Sequence, residues 1–256
     1  MPPGKDPNAP LEGSELAPAA PEAGSTADVG SSSEGIFDSM YGYTFVTSKG
    51  WLARKDLLEW TWGSISKNDL NWSFNPDTRV RVSIDEIKTV VGSGTFEPKK
   101  SMTGSYSVDG GSTKQWGPLS YSLSNSLAIT PASLEGTWSA DSASGIGISI
   151  DVDAAGRFTG TTVGSMIGVC KVSGALIQDE PGTVKNMFLF ALSAINTATG
   201  TEKPCQLETS LPYAGPAGVV LVPTSVTARN SYFRNLAFQA RTANGAMVMQ
   251  YMGRVK

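Results

Sequence analysis

Ile146, Ile148, Ile150 and Val152 alternate with Gly147, Ser149 and Asp151. A two-residue period puts every apolar side chain of a β-strand on one face, whereas a helix would scatter them around its axis. Asp153-Ala154-Ala155-Gly156 then supplies turn chemistry. The same grammar continues to the C-terminus, with strands expected at Gly136–Asp141, Ile146–Val152, Arg157–Val163, Val169–Ile177, Lys185–Ile195, Gly218–Val222, Tyr232–Arg241 and Ala246–Arg254. Short hairpins such as Ala243-Asn244-Gly245 join these segments. Sequential strands with short turns suit an up-and-down antiparallel barrel, which leaves no edge exposed, or a strongly curved sheet. Met187–Leu192 and Met247–Met252 are apolar on both faces, so something should cover their outer sides. The cover expected is the preceding half, with strands near Tyr43–Thr47, Leu57–Ser66, Leu70–Phe74, Thr78–Ile84, Ser101–Val108 and Gln115–Leu123. The fold class is therefore all-β: two antiparallel meander halves, 35–129 and 130–256, the second an eight-stranded barrel or curved sheet.

Positions 1–33 hold six Pro, six Ala, four Gly and five Ser, and no aromatic residue precedes Phe37. Such a segment buries too little apolar surface to offset its ordering entropy, so 1–34 is expected as a disordered tether. The longest apolar runs, such as Val219–Val222, are strand-sized, far from the ~18–20 residues of a membrane helix. The start Met1-Pro2-Pro3-Gly4-Lys5 lacks the apolar stretch of a signal peptide, which read literally means the cytoplasm. Envelope lipoproteins, however, carry a Pro/Ala/Ser spacer of this kind between their lipidated cysteine and a β domain. That reading places the protein in the periplasm or tethered to the outer membrane, with a lipid anchor supplied by an unrecorded upstream segment.

The sequence contains no histidine, which excludes Ser-His-Asp triads, Cys-His dyads and histidine zinc sites. A net charge of −3 leaves no basic surplus for a phosphate backbone, so nucleic acid is not expected as a partner. No cofactor is indicated. Cys170 and Cys205 would enclose a loop of about 36 residues if bridged. A structural disulfide in an oxidising compartment, two buried thiols and a reactive thiol are the three readings of this pair. Asp151-Val152-Asp153 begins like a calcium loop, but Ala155 and Thr162 stand where ligands are needed, leaving a hairpin turn. Ser64-Ile65-Ser66-Lys67 matches the Ser-x-x-Lys of penicillin-recognising enzymes without their other motifs. A glycosidase would need facing carboxylates such as Glu59 and Glu86. Met247, Met249 and Met252 read as adaptable core filler.

Four of six tryptophans, Trp51, Trp60, Trp62 and Trp72, fall close together, with Trp60 and Trp62 on one face of a strand. They form either core or a face for a ligand or partner, since indoles stack on sugar rings and seat apolar groups.

The stretches Thr130-Pro131-Ala132-Ser133-Leu134-Glu135-Gly136-Thr137-Trp138, Ala155-Gly156-Arg157-Phe158-Thr159-Gly160 and Gly168-Val169-Cys170-Lys171-Val172-Ser173-Gly174, with Asn186, Cys205 and Tyr213-Ala214-Gly215-Pro216-Ala217, resemble uncharacterised envelope lipoproteins of Gram-negative bacteria. The resemblance covers most of 130–256 and the tether, and it implies location and architecture rather than chemistry. A looser likeness is to lipocalins and avidins, whose first strand carries Gly-x-Trp as in Gly136-Thr137-Trp138, the Trp plugging the closed end of the barrel. No Trp follows Trp138, so a biotin pocket is not expected. Glu34-Gly35-Ile36-Phe37 also echoes Glu135-Gly136-Thr137-Trp138, and Thr103-Gly104 echoes Thr159-Gly160. Together these readings point to a non-enzymatic envelope protein acting as a structural or interaction module with an envelope partner. The alternative is a calycin-like carrier of a small apolar ligand.

Overall fold

The computed structural model describes residues 13–56, 59–83, 86–141, 145–224 and 231–255. It contains two closed eight-stranded antiparallel barrels, one in each half. Before the barrels come a two-residue strand β1 (Glu15–Leu16) and one helical turn α1 (Thr26–Val29). The first barrel comprises β2 (Gly35–Ser39), β3 (Gly42–Val46), β4 (Trp51–Lys55), β5 (Trp60–Asn68), β6 (Asn71–Phe74), β7 (Arg79–Ser83), β8 (Glu86–Glu97), β9 (Ser101–Val108) and β10 (Lys114–Tyr121). β6 and β7 both lie between β5 and β8 and act as one strand interrupted at 75–78. Closure comes from β10 on β2, with Tyr121 opposite Phe37.

The second barrel runs strictly in order through β11 (Gly136–Ala140), β12 (Gly147–Val152), β13 (Arg157–Val163), β14 (Cys170–Gln178), β15 (Phe188–Asn196), β16 (Tyr213–Pro223), β17 (Ser231–Arg241) and β18 (Met247–Arg254). β18 pairs with both β17 and β11, completing the ring. Its interior is filled: Phe190 stacks between Phe158 and Phe238, with ring centroids 5.2 and 4.0 Å away. A 3-10 turn at Pro131–Leu134 closes one end, where the Leu134 carbonyl accepts the Trp138 indole N–H at 2.7 Å.

Thus the second half is closed, and the first half, expected only as a covering meander, is a barrel in its own right. Three of its strands, β2, β4 and β8, were not expected from the sequence. The expected strand starts at Leu57 and ends at Ile84 fall outside the described residues. So do residues 1–12 of the expected tether. Residues 13–34, expected to be unfolded with them, are instead ordered along both barrels. Polar bonds, rather than apolar area, hold this stretch. Ser25 caps α1, the Thr26 hydroxyl accepts the Asn186 N–H at 3.0 Å, and the Glu22 carboxylate accepts the Ala128 N–H at 2.6 Å.

The barrels meet through a small apolar joint of Ile36, Phe45, Met187, Val220 and Ala237. Met187 is therefore covered as its doubly apolar strand requires. Around this joint lies a buried polar frame. Asn186 donates to the carbonyls of Ser124 (2.8 Å) and Val219 (2.6 Å) and accepts from the Val219 N–H (2.8 Å). Lys185 bridges Glu34 (2.8 Å) and Glu180 (2.7 Å).

Cys170 and Cys205 form a disulfide that ties the start of β14 to the loop after β15. Thiol alkylation of the unfolded chain is expected to add mass only after reduction. Cys170→Ala/Cys205→Ala should lower unfolding free energy in urea by about 3–4 kcal/mol, the loop-entropy value for this span. Asn186→Ala leaves several buried groups unpaired and should cost about 2–4 kcal/mol in the same assay.

Candidate functional site

β4 and β5 form a hairpin in which Ala53 lies opposite Trp62 and Trp51 opposite Ser64. Leu52 is in the first barrel's core, so strand alternation sends Trp51, Ala53 and Trp62 to the outer face. That face looks across a cleft of about 360 Å³ at the outer faces of β16, β17 and β18, represented by Pro216, Arg241 and Met247. Trp62 is buried in the wall, whereas Trp51 remains 49% exposed at the rim. The Arg241 guanidinium lies 5.7 Å from the Trp62 ring centroid, within cation–π range. Burial lowers the Arg241 pKa and the nearby Asp77 opposes that shift. Gln239 also lines the cleft, and its amide donates to the Tyr43 carbonyl at 2.7 Å, fixing one barrel against the other. Two indoles, a guanidinium, a carboxylate and an amide thus surround one opening.

The four expected tryptophans separate. Trp51 and Trp62 share the cleft. Trp60 shares their outward face but lies beyond the cleft lining, with the Lys55 ammonium 5.8 Å from its ring. Trp72 points into the first barrel, packs on Phe74 and Trp116, and donates to the Thr103 carbonyl at 3.1 Å. It is core.

Other sequence candidates resolve into local structure. The Ser64 hydroxyl donates to Asp77 at 2.8 Å, while the Lys67 ammonium donates to the Ser48 carbonyl at 2.8 Å. Burial lowers the Lys67 pKa, but its hydrogen bonds lead to backbone carbonyls rather than to Ser64. Glu59 accepts from the Tyr106 hydroxyl (2.7 Å) and from Lys114, and Glu86 pairs with Lys88 (2.8 Å). Each carboxylate is held by its own partners. Asp153 accepts the Ala155 and Arg157 N–H groups at 2.9 Å, which makes it a hairpin cap. Met252 is core, and Met247 faces the cleft.

The sequence reading missed Arg241 and Gln239, which occupy the polar positions of β17 between and beyond the core residues Phe238 and Ala240. Their alternation was visible, but not that a second barrel faces them. It also missed Arg54, buried inside the first barrel with its guanidinium 4.2 Å from the Trp116 ring and paired with Asp56 at 2.5 Å. Comparison of the chain with family profiles, with characterised proteins and with solved structures returns no match.

Acrylamide quenching tests the tryptophan geometry. Because Trp51, at 49%, is the most exposed of the six, Trp51→Phe should remove the largest share of the quenchable fluorescence. Trp72→Phe should leave the quenching constant nearly unchanged while reducing stability.

Proposed function

We propose that this protein is a non-enzymatic binding module of the bacterial cell envelope, and that the tryptophan cleft between its barrels is the recognition surface. The observation carrying this reading is the arrangement of Trp51 and Trp62 opposite Arg241, with side chains of both barrels forming one opening of about 360 Å³. A sugar ring fits that chemistry: its C–H face stacks on indole, and its hydroxyls meet the guanidinium, the Asp77 carboxylate and the Gln239 amide. We therefore take a glycan strand of the envelope as the partner.

Several features favour a binding role over catalysis. The chain has no histidine, and Ser64 and Lys67 each bond to other groups. The filled interior of the second barrel, with Phe158, Phe190 and Phe238 in one stack, argues against a carrier of small apolar ligands inside it. The Cys170–Cys205 bridge suits an oxidising compartment, in keeping with the periplasm. A lipid anchor on an upstream segment would complete the envelope reading.

Titration with N-acetylglucosamine oligosaccharides, followed by tryptophan fluorescence, tests the proposal. A saturable change is expected that Trp51→Ala weakens at least tenfold and Trp60→Phe leaves intact. Absence of saturation at millimolar sugar, or equal binding by Trp51→Ala, would overturn it. Native mass spectrometry of protein recovered from its own cells supplies the second arm, since a retained apolar ligand would restore the carrier.

A further inference from the structure

A second opening, of about 580 Å³, lies between the barrels where β2, β3 and β18 meet. Ile36 belongs to the inter-barrel joint, so alternation along β2 places Asp38 on the same outward side. Asp38 is in register with Tyr43 across the β2–β3 hairpin and with Ser120 on β10. Tyr43 and Tyr251 meet edge-on with centroids 5.5 Å apart, and Tyr41 stands half-exposed in the hairpin turn. Val222 and Pro223 add an apolar wall.

Two polar atoms of the residues lining this groove are unaccounted for, Asp38 Oδ1 and the Tyr251 hydroxyl. Asp38 Oδ1 is buried and has no hydrogen-bond partner. Among the described residues, Asp38 enters no ion pair. Native structures rarely leave a buried carboxylate oxygen unsatisfied, because it has surrendered water without replacement. An ionised carboxylate is complemented most strongly by a positively charged donor, and the surrounding phenol rings offer faces that attract cations.

We infer that this groove binds an organic cation, an ammonium or guanidinium on a short apolar stem, with the charged head on Asp38 and the stem against Tyr43, Tyr251 and Val222. The head neutralises the Asp38 carboxylate from its groove side, and the stem replaces water on the aromatic wall. Such a group occurs on free amines and on lysine or arginine side chains of a protein partner. This site is separate from the tryptophan cleft and does not depend on the glycan reading.

Binding requires ionised Asp38. Burial pushes its pKa up to about 6, against a hydrogen bond from Ser122. The titratable groups lining the groove beside it are phenols: Tyr41 in the turn, Tyr43 on β3, Tyr232 on β17 and Tyr251 on β18. Burial drives the phenols of Tyr43 and Tyr251, the two rings against which the stem would lie, upward and away from this pH range. Asp38 therefore sets the pH response, and affinity should fall about tenfold between pH 7.5 and pH 5.

The test is amide NMR titration of the full chain with n-butylammonium chloride, with n-butanol as the uncharged control and a lysine-containing tripeptide as the second source. Expected are shifts at Gly42, Tyr43 and Tyr251, the pH dependence above, and loss of binding in Asp38→Asn. Tighter binding of the tripeptide would identify a protein side chain as the source, and tighter binding of butylammonium a free amine. Equal binding by butanol, or by Asp38→Asn, would overturn the inference. Stability provides an independent check. Because the folded-state pKa is raised, ionised Asp38 destabilises the fold as pH rises from about 4 through 6, and the loss persists above. Asp38→Asn should therefore raise the melting temperature at pH 7.5 and change it little at pH 4. A lowered melting temperature at pH 7.5 would mean that the carboxylate already has an internal structural partner, and would also overturn the inference.

Discussion

Closure of each sheet on itself, β10 onto β2 and β18 onto β11, governs the rest of the architecture. A closed sheet has few backbone donors or acceptors left to offer a neighbour, so the two barrels must meet through outward side chains. Those side chains were set by the alternation that filled the interiors. Ile36 and Asp38 face out because Phe37 faces in; Trp62 faces out because its neighbours on β5 face the core. The chemistry of the clefts is thus the complement of the packing of the cores.

Two convex cylinders touch along a narrow zone, which explains why the apolar joint is small and why openings flank it. The joint alone buries few side chains, and it is reinforced by groups that leave little freedom of rotation. Asn186 bonds to the second barrel and to the linker that carries the chain between barrels, while its backbone N–H meets Thr26 of the leading segment. Lys185 adds an almost buried ion pair to Glu34, just before the first barrel. A pair of this sort offers little net stability once desolvation is counted, but breaking it strands a charge, so it favours one relative orientation. A fixed orientation is what a site with walls from both barrels needs.

The second barrel was legible because every strand carries either clean alternation or a β-branched and aromatic run. The first was legible only in part. β8 is the longest strand, yet Gly92 and Gly94 interrupt its inward side and the apolar Ile87 and Val91 lie on its exposed side, so local preference pointed elsewhere. Gly94 is required there because a Cβ would sit 1.9 Å from the Thr103 carbonyl oxygen on β9, a constraint set by a neighbouring strand rather than by local preference. The leading segment misled in the opposite direction. Its composition predicts disorder, and what orders residues 13–34 is a series of individual polar bonds to Asn186, Ala128 and Arg234. At the candidate site, parity placed Trp60 and Trp62 on one face, but the sequence could not say which cylinder side that face became. Cys170 and Cys205 likewise left three readings open until the fold brought them together.

The echo between Glu34-Gly35-Ile36-Phe37 and Glu135-Gly136-Thr137-Trp138 acquires physical content in the structure. Both glycines open the first strand of a barrel, and both adopt positive φ, 130° and 124°, where a side chain would be strained. Two residues on, Phe37 and Trp138 are fully buried in their respective cores. Each barrel is also preceded by a short helical turn, α1 for the first and the 3-10 turn at Pro131–Leu134 for the second. The other half of the echo does not correspond: Gly104 lies on the seventh strand position of its ring and Gly160 on the third. The shared motif is therefore a device for entering a barrel. The glycine lets the chain turn into the first strand, and the aromatic two residues later fixes that strand's inward face. Register then propagates around the ring, because a slip of one residue would turn every core side chain outward.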